Sequence, residues 1–275
     1  MAIVTISREM GSGGSIIARA LADKLGYTLV DGDAILQVAE KYGLSEEALE
    51  TADEKPPAFV ESLDARIEID MLHIQQIILE YALKDNVIIY GRGGQDILDG
   101  VSCIFSTRII APFELRVERW AEREWLDPDL SRILVRKSDQ QRAGFIKYYF
   151  DRDWNDPYAY DLIINTAKIS EDMAVELICQ GLQENNLRCL DEPSRTRLQD
   201  LLLRKRIEIA ILKSAEIEGH HLQVNIDGSE IRLEGHIHSE DERRAIQRLI
   251  AGLAPKLRVD DRLKVFAYHL NPKEV

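Results

Sequence analysis

Apolar runs and amphipathic stretches alternate along the first two thirds of this chain, and the spacing within each predicts what it forms. Ala2–Ile6 is a short apolar run of the kind a buried strand presents. A glycine-rich stretch, Gly11 to Gly14, leads from it into IIARALADKLGY, where Ile16, Ile17, Ala20, Leu21 and Leu25 recur at helical spacing. Tyr27–Val30 predicts a second strand ending at Asp31. Ile67, Met71, Ile74 and Ile78 form one stripe of a long helix over 62–84. Asn86–Tyr90 predicts a third strand that turns at Gly91-Arg92-Gly93-Gly94, with Cys103–Ile110 a fourth and Tyr160–Asn165 a fifth. Strands separated by helical patterns require crossover connections, so residues 1–190 are expected to form an α/β domain: a parallel five-stranded sheet with helices on both faces. Ligands of such sheets lie beyond the carboxyl ends of the strands.

The pattern breaks around Asp191-Glu-Pro-Ser194. A helix over 195–218 is followed by alternation at Leu222, Val224 and Ile226 before Asp227-Gly228. Ile231, Leu233 and Ile237 follow that turn, which predicts a hairpin. With a helix over 240–253 and a strand over 257–268, residues 191–275 are expected to form a second, small α+β domain.

Composition narrows the function classes. Of 275 residues, 45% are hydrophobic and 30% charged, the balance of a globular protein. The opening MAIVTISREMGSGG has no leader pattern, and no apolar window of about 18 residues occurs, so a cytoplasmic protein without a transmembrane segment is expected. A net charge of -13 argues against a nucleic-acid partner. From Gln199 onward basic and acidic side chains balance at 13 each, so the negative charge belongs to the first domain. Cys103, Cys179 and Cys189 form no C-x-x-C pair, and His220, His221, His236 and His238 lack the companion ligands of a metal site.

A strand that passes through glycines into a helix surrounds one concavity with backbone N–H groups and a helix N-terminus, which suits phosphate. Gly11, Ser12, Gly13, Gly14, Ser15 and Ile16 are the expected cradle, and the Ser15 hydroxyl the expected contact to Mg²⁺ accompanying ATP. The usual pattern G-x-x-x-x-G-K-[ST] would place glycine where Arg8 stands and lysine where Gly14 stands. Without that lysine the phosphates must draw a cation from elsewhere, and Arg8 is the nearest.

ISREMGSGGSIIARALADKLGY resembles the opening of cytidylate-kinase-like proteins, which share the strand-loop-helix of bacterial CMP kinases but lack the loop lysine. The resemblance covers residues 1 to about 182 and implies a P-loop NTPase-type sheet. GRGGQDIL, from Gly91 to Leu98, looks like the segment in which an arginine holds substrate phosphate, a role that falls to Arg92. Asp139-Gln-Gln-Arg142 looks like the pair that holds the cytosine amino edge and the monophosphate, and Asp31 falls where the family opens its monophosphate segment. There the chain departs, with Gly32-Asp-Ala-Ile-Leu36-Gln37 in place of Ser-Gly-Ala-Ile-Tyr-Arg. Arg116, Arg119 and Arg123 resemble the helix leading into a kinase lid, with Arg132, Arg136 and Lys137 beyond it.

The implied activity is transfer of the ATP γ-phosphoryl group to CMP or dCMP, with Arg8, Arg92, Arg119, Arg123 and Arg136 as the catalytic cations. Residues 199–268 resemble a BON module, a kind associated with envelope and phospholipid surfaces. The charge-neutral segment and the lack of a leader pattern favour a protein-contact or regulatory role, with lipid contact and a structural appendage as alternatives. Two other readings stay open: a catalytically weak or inactive nucleotide sensor signalling through the BON-like part, and a kinase for another small acceptor.

Overall fold

The computed structural model of the protein describes residues 2–44, 65–183, 191–217 and 222–266. β1 (Ile3–Arg8) lies at the centre of a five-stranded sheet between β3 (Val87–Tyr90) and β4 (Ile104–Ile110). β2 (Thr28–Val30) and β5 (Leu162–Asn165) form the edges, and every pairing is parallel, as expected. The pleat of β1 divides two cores: Ile3 joins Val87 and Ile89 on one face, while Val4 and Ile6 join Ile88 and Ile109 on the other. Ile3, Val4 and Ile6 are buried almost completely, each worth about 1.5–3 kcal/mol of transfer free energy, which holds the strand in register.

The Val4 face is covered by α1 (Gly14–Leu25) and α7 (Glu171–Gly181). The Ile3 face is covered by α2 (Gly32–Tyr42), α3 (Ala65–Ala82) and the end of α6 (Pro128–Phe150). Short α4 (Gly94–Ile97) follows β3, and α5 (Phe113–Glu124) follows β4. β1 runs beyond the predicted Ile6 because Ser7 and Arg8 pair with Arg108 and Ile109 of β4. That extension carries Arg8 to the end of the central strand. α2 has no strong periodic signal, since only Ile35 and Ala39 are buried, and the Asp31 cap on the Ala34 amide (3.0 Å) starts it.

α8 (Glu192–Leu212) begins earlier than predicted because Asp191 accepts from the Ser194 amide at 2.8 Å and Pro193 suits the first turn. It ends at Leu212 rather than 218. Its Leu198, Leu201 and Leu202 pack in the core of the first sheet, whereas Ile207 and Ile211 pack under the second, so one helix serves both cores. The second sheet has the order β6 (Gln223–Asp227), β7 (Glu230–Ile237), β8 (Arg258–Val265), backed by α9 (Glu240–Leu253). β6 and β7 form the expected antiparallel hairpin, and β8 runs parallel to β7, making a small mixed sheet. Residues 62–64, 218 and 267–268 of the predicted elements lie outside the described residues. Among the described residues no helix is long and apolar enough to cross a membrane.

Candidate active site

Glu9 to Gly13 join β1 to α1, with Gly11 and Gly13 at φ +80° and +86°, backbone that a side chain strains. A Cβ at Gly11 would stand 2.5 Å from the Arg116 carbonyl oxygen, so the loop is threaded directly against α5. α2, α6, α7, α8 and α9 each begin under the side chain of Asp31, Asp127, Ser170, Asp191 or Ser239. α1 begins at Gly13 with no side-chain cap and no acid in its first turn. The Ser12 amide donates to the Glu9 carbonyl at 3.3 Å, and the Glu171 carboxylate stands beside Gly13. The uncapped first turn of α1 directs the positive end of its dipole at the hollow beside the loop, an arrangement that suits an anion.

This hollow is a cleft of about 550 Å³ lined by Gly11, Gly13, Gly14, Ser15 and Ile16 with Arg8, Arg119, Arg123 and Arg142. Tyr90 and Trp120 form its aromatic walls, and Glu9, Glu122 and Glu171 its acidic ones. A Cβ at Gly14 would lie 2.7 Å from the Cβ and 2.9 Å from the Cγ of Arg8. The Arg8 stem thus fills the space from which a loop lysine would start, and its guanidinium lies 4.0 Å from the centre of the Tyr90 ring. Arg119 donates to the Thr166 hydroxyl and carbonyl, both at 2.9 Å, and the Thr166 hydroxyl donates to the Ser12 carbonyl at 2.9 Å. This chain fixes Arg119 relative to the loop before any ligand arrives. Arg123 stacks 4.2 Å from the Trp120 ring and pairs with Glu124 at 2.8 Å.

A second cluster lies at the end of β3. Gly91, Arg92 and Gly93 are consecutively left-handed at φ +74°, +58° and +68°, and Arg92 is buried. A non-glycine residue held there stores backbone strain, the kind of outlier that marks functional sites. Its Nη2 would lie 3.4 Å from a Cβ at Gly32, which places the guanidinium against the N-terminus of α2 beside Asp31. Arg142 accepts no such burial; it donates to Ser138 at 2.7 Å and borders both the large cleft and a small cavity with Ser7, Gly91, Gly93 and Trp154. Buried Arg108 stacks 4.0 Å from the Trp154 ring, donates to Asn155 at 3.0 Å and to Tyr160 at 3.1 Å, and Trp154 donates to Ser7 at 3.0 Å. Sequence reasoning missed this wall, although the aromatic residues of DRDWNDPYAYD were its signal.

Five expected site residues do not line the large cleft: Asp31 and Arg92, which form the second cluster, and Ser12, Arg136 and Asp139. The Ser12 hydroxyl is fully buried and donates to the Glu9 carbonyl at 2.8 Å, closing the loop instead of lining the cleft. Arg136 is exposed on α6, its guanidinium 5.4 Å from the Phe113 ring, and does not line the cleft. Asp139 meets Arg116 at 2.7 Å and accepts from the Met10 amide at 3.2 Å. Of the histidines, His236 packs edge-on against Phe266 at 4.7 Å, and His220 and His221 lie outside the described residues.

The donor set fits a triphosphate with its divalent ion. Uncapped amides and several guanidinium groups surround one hollow, and Ser15 in the first turn of α1 is among its lining residues. Residues 3–168 match the Cytidylate kinase-like family. The chain is 31% identical over 172 residues to a cytidylate kinase from Natronomonas pharaonis, covering 62% of this chain and 83% of the relative. It is 31% identical over 189 residues to a cytidylate kinase from Archaeoglobus fulgidus, covering 67% and 97%. The fold is also that of an uncharacterized protein from Eubacterium ventriosum, with a TM-score of 0.55 at 22% identity over 67% of this chain and 100% of the other. The second sheet lies outside the residues matched to the family. With its glycine loop, parallel sheet and family match in agreement, the chain belongs to the cytidylate kinase-like family.

Proposed function

We propose that the protein transfers the γ-phosphoryl group of ATP to a nucleoside monophosphate, CMP or dCMP. The observation that carries this reading is the meeting of an uncapped helix N-terminus with Arg8, Arg119, Arg123 and Arg142 on one cleft at the carboxyl end of β1. The amides of Gly11 to Ser15 receive the phosphate chain, and Ser15 is the residue that would hold Mg²⁺. Mg²⁺, when bound with ATP, neutralises charge on the β and γ oxygens. Arg8 supplies the positive charge that a loop lysine supplies elsewhere. Arg92 and Arg142, near Asp31 and the small cavity respectively, hold the acceptor phosphate by forked hydrogen bonds. An acceptor phosphate oxygen forms a bond to the γ phosphorus as the β–γ bridge breaks, ADP leaves, and no enzyme-bound covalent intermediate is needed.

A panel of monophosphates tests this. With ATP and Mg²⁺, CMP or dCMP is expected to give ADP at least about tenfold faster than AMP, GMP or UMP, a difference of about 1.4 kcal/mol in the transition state. Equal background rates across the panel would remove the kinase reading. The packed arginine set, with Arg119 already fixed to Thr166, favours transfer over passive sensing. For residues 191–275 the BON-like reading rests on the order helix, strand, strand, helix, strand. Its contact with the first unit through Arg206 and Glu80 at 3.1 Å offers a route by which a protein partner could bias α3.

A further inference from the structure

Glu9, Arg116 and Asp139 form a part-buried ionic cluster between the glycine loop, α5 and α6, with Arg116 at its buried centre. Arg116 is 5% exposed. Its Nε lies 3.2 Å from Glu9 and donates to the Ala111 carbonyl at 2.9 Å; its Nη1 donates to Asp139 at 2.7 Å and to the Met10 carbonyl at 3.1 Å. Glu9 accepts from the Ala111 amide at 3.1 Å, and Asp139 from the Met10 amide at 3.2 Å. One guanidinium and two carboxylates are therefore tied to the backbone of Met10 and Ala111, and the Arg116 carbonyl is what excludes a side chain at Gly11. A charge cluster with a buried centre stabilises only while all its members are present.

Resting on the kinase reading, we propose that Asp139 is a positioning residue of the triphosphate loop, acting through Arg116 and the Met10 amide, and not the reader of the acceptor base. Both carboxylate oxygens are engaged: Oδ1 by the Met10 amide and Oδ2 by Arg116. Both bonds bear on the segment that leads into Gly11, one directly at the Met10 amide and one by orienting the guanidinium that also holds the Met10 carbonyl. The acceptor side of the site is built from different parts, Arg92 beside Gly32 and Arg142 beside Trp154.

Asp139→Asn keeps the size of the side chain and an oxygen for the Met10 amide but removes the charge facing Arg116. Calorimetric titration with a nonhydrolysable ATP analogue and Mg²⁺, without acceptor, is expected to show affinity weakened on the order of tenfold or more, as loss of loop geometry does. In the kinase assay the KM for ATP is expected to rise while the KM for CMP stays within about twofold, since one interaction is removed from one substrate. A raised KM for CMP with unchanged analogue affinity would overturn the proposal, and so would no change in either. If no monophosphate proves to be an acceptor, the kinase reading fails while the calorimetric arm still decides the role of Asp139. Should Asp139→Asn fail to fold, Asp139→Glu, which retains the charge but displaces it, is expected to weaken the analogue more than CMP; the reverse order would refute the assignment.

Discussion

Arg8→Ala is expected to lower the rate of phosphoryl transfer by about 100- to 1,000-fold at saturating ATP, the scale on which one preorganised charge stabilises a transition state. The reason lies in a paired exchange. Glycine stands at 14 where a lysine is usual, and arginine stands at 8 where a glycine is usual. The two departures are one arrangement, since any Cβ at position 14 would lie 2.7 Å from the Arg8 Cβ. Gly14→Lys alone is therefore expected to lose activity despite adding the missing ammonium. Arg8→Gly combined with Gly14→Lys should recover at least about tenfold over either single variant, a nonadditivity reserved for residues that share one space. Kinetics on the four proteins of this cycle check it. Additive losses, or full activity of Gly14→Lys alone, would show that Arg8 does not occupy the lysine's place.

Asp96→Asn is expected to raise stability at pH 8 by up to about 3 kcal/mol. Asp96 lies in α4 just after the strained Arg92 turn, with its side chain 2% exposed. Burial pushes its carboxyl up to about 6; Arg152 at 3.6 Å pulls the other way but less strongly, and Asp99 nearby adds to the rise. Because the folded state holds this proton more tightly than the unfolded chain, the group's contribution is greatest below about pH 4. It is lost as pH rises through about 6 and remains lost at pH 8. Asparagine keeps an oxygen for the Gln95 amide, which donates to Asp96 at 2.8 Å, and carries no charge to bury. The melting temperature of Asp96→Asn should exceed that of the parent at pH 8, with the gap closing by about pH 4. A variant less stable at pH 8 would mean that the Arg152 pair outweighs desolvation.

The five-stranded sheet was legible because each strand is a short apolar run and each glycine turn falls at a strand end, so local pattern and global topology agree. α2 was not, because its start is set by the Asp31 cap and only Ile35 and Ala39 report its buried face. The glycine loop between β1 and α1 was readable from Gly11, Gly13 and Gly14, whereas the contacts of Ser12 and Asp139 were not. Asp139 depends on Arg116, 23 positions away, while the Ser12 hydroxyl turns back on the Glu9 carbonyl within the loop itself and the Ser12 backbone carbonyl is held by Thr166. A motif places a side chain at a site; which way it turns there follows from long-range hydrogen bonds that spacing does not encode. Arg108 and Trp154 were missed for the same reason, since their stacking joins residues 46 positions apart.

A crystal structure with Mg²⁺ and a nonhydrolysable ATP analogue tests most directly whether the start of α1 receives a triphosphate. The expected result places the β-phosphate within hydrogen-bond distance of the amides of Gly11 to Ser15, with the Arg8 guanidinium against the β and γ oxygens. A triphosphate bound elsewhere, with Arg8 still stacked on Tyr90 and no phosphate at the loop, would contradict it.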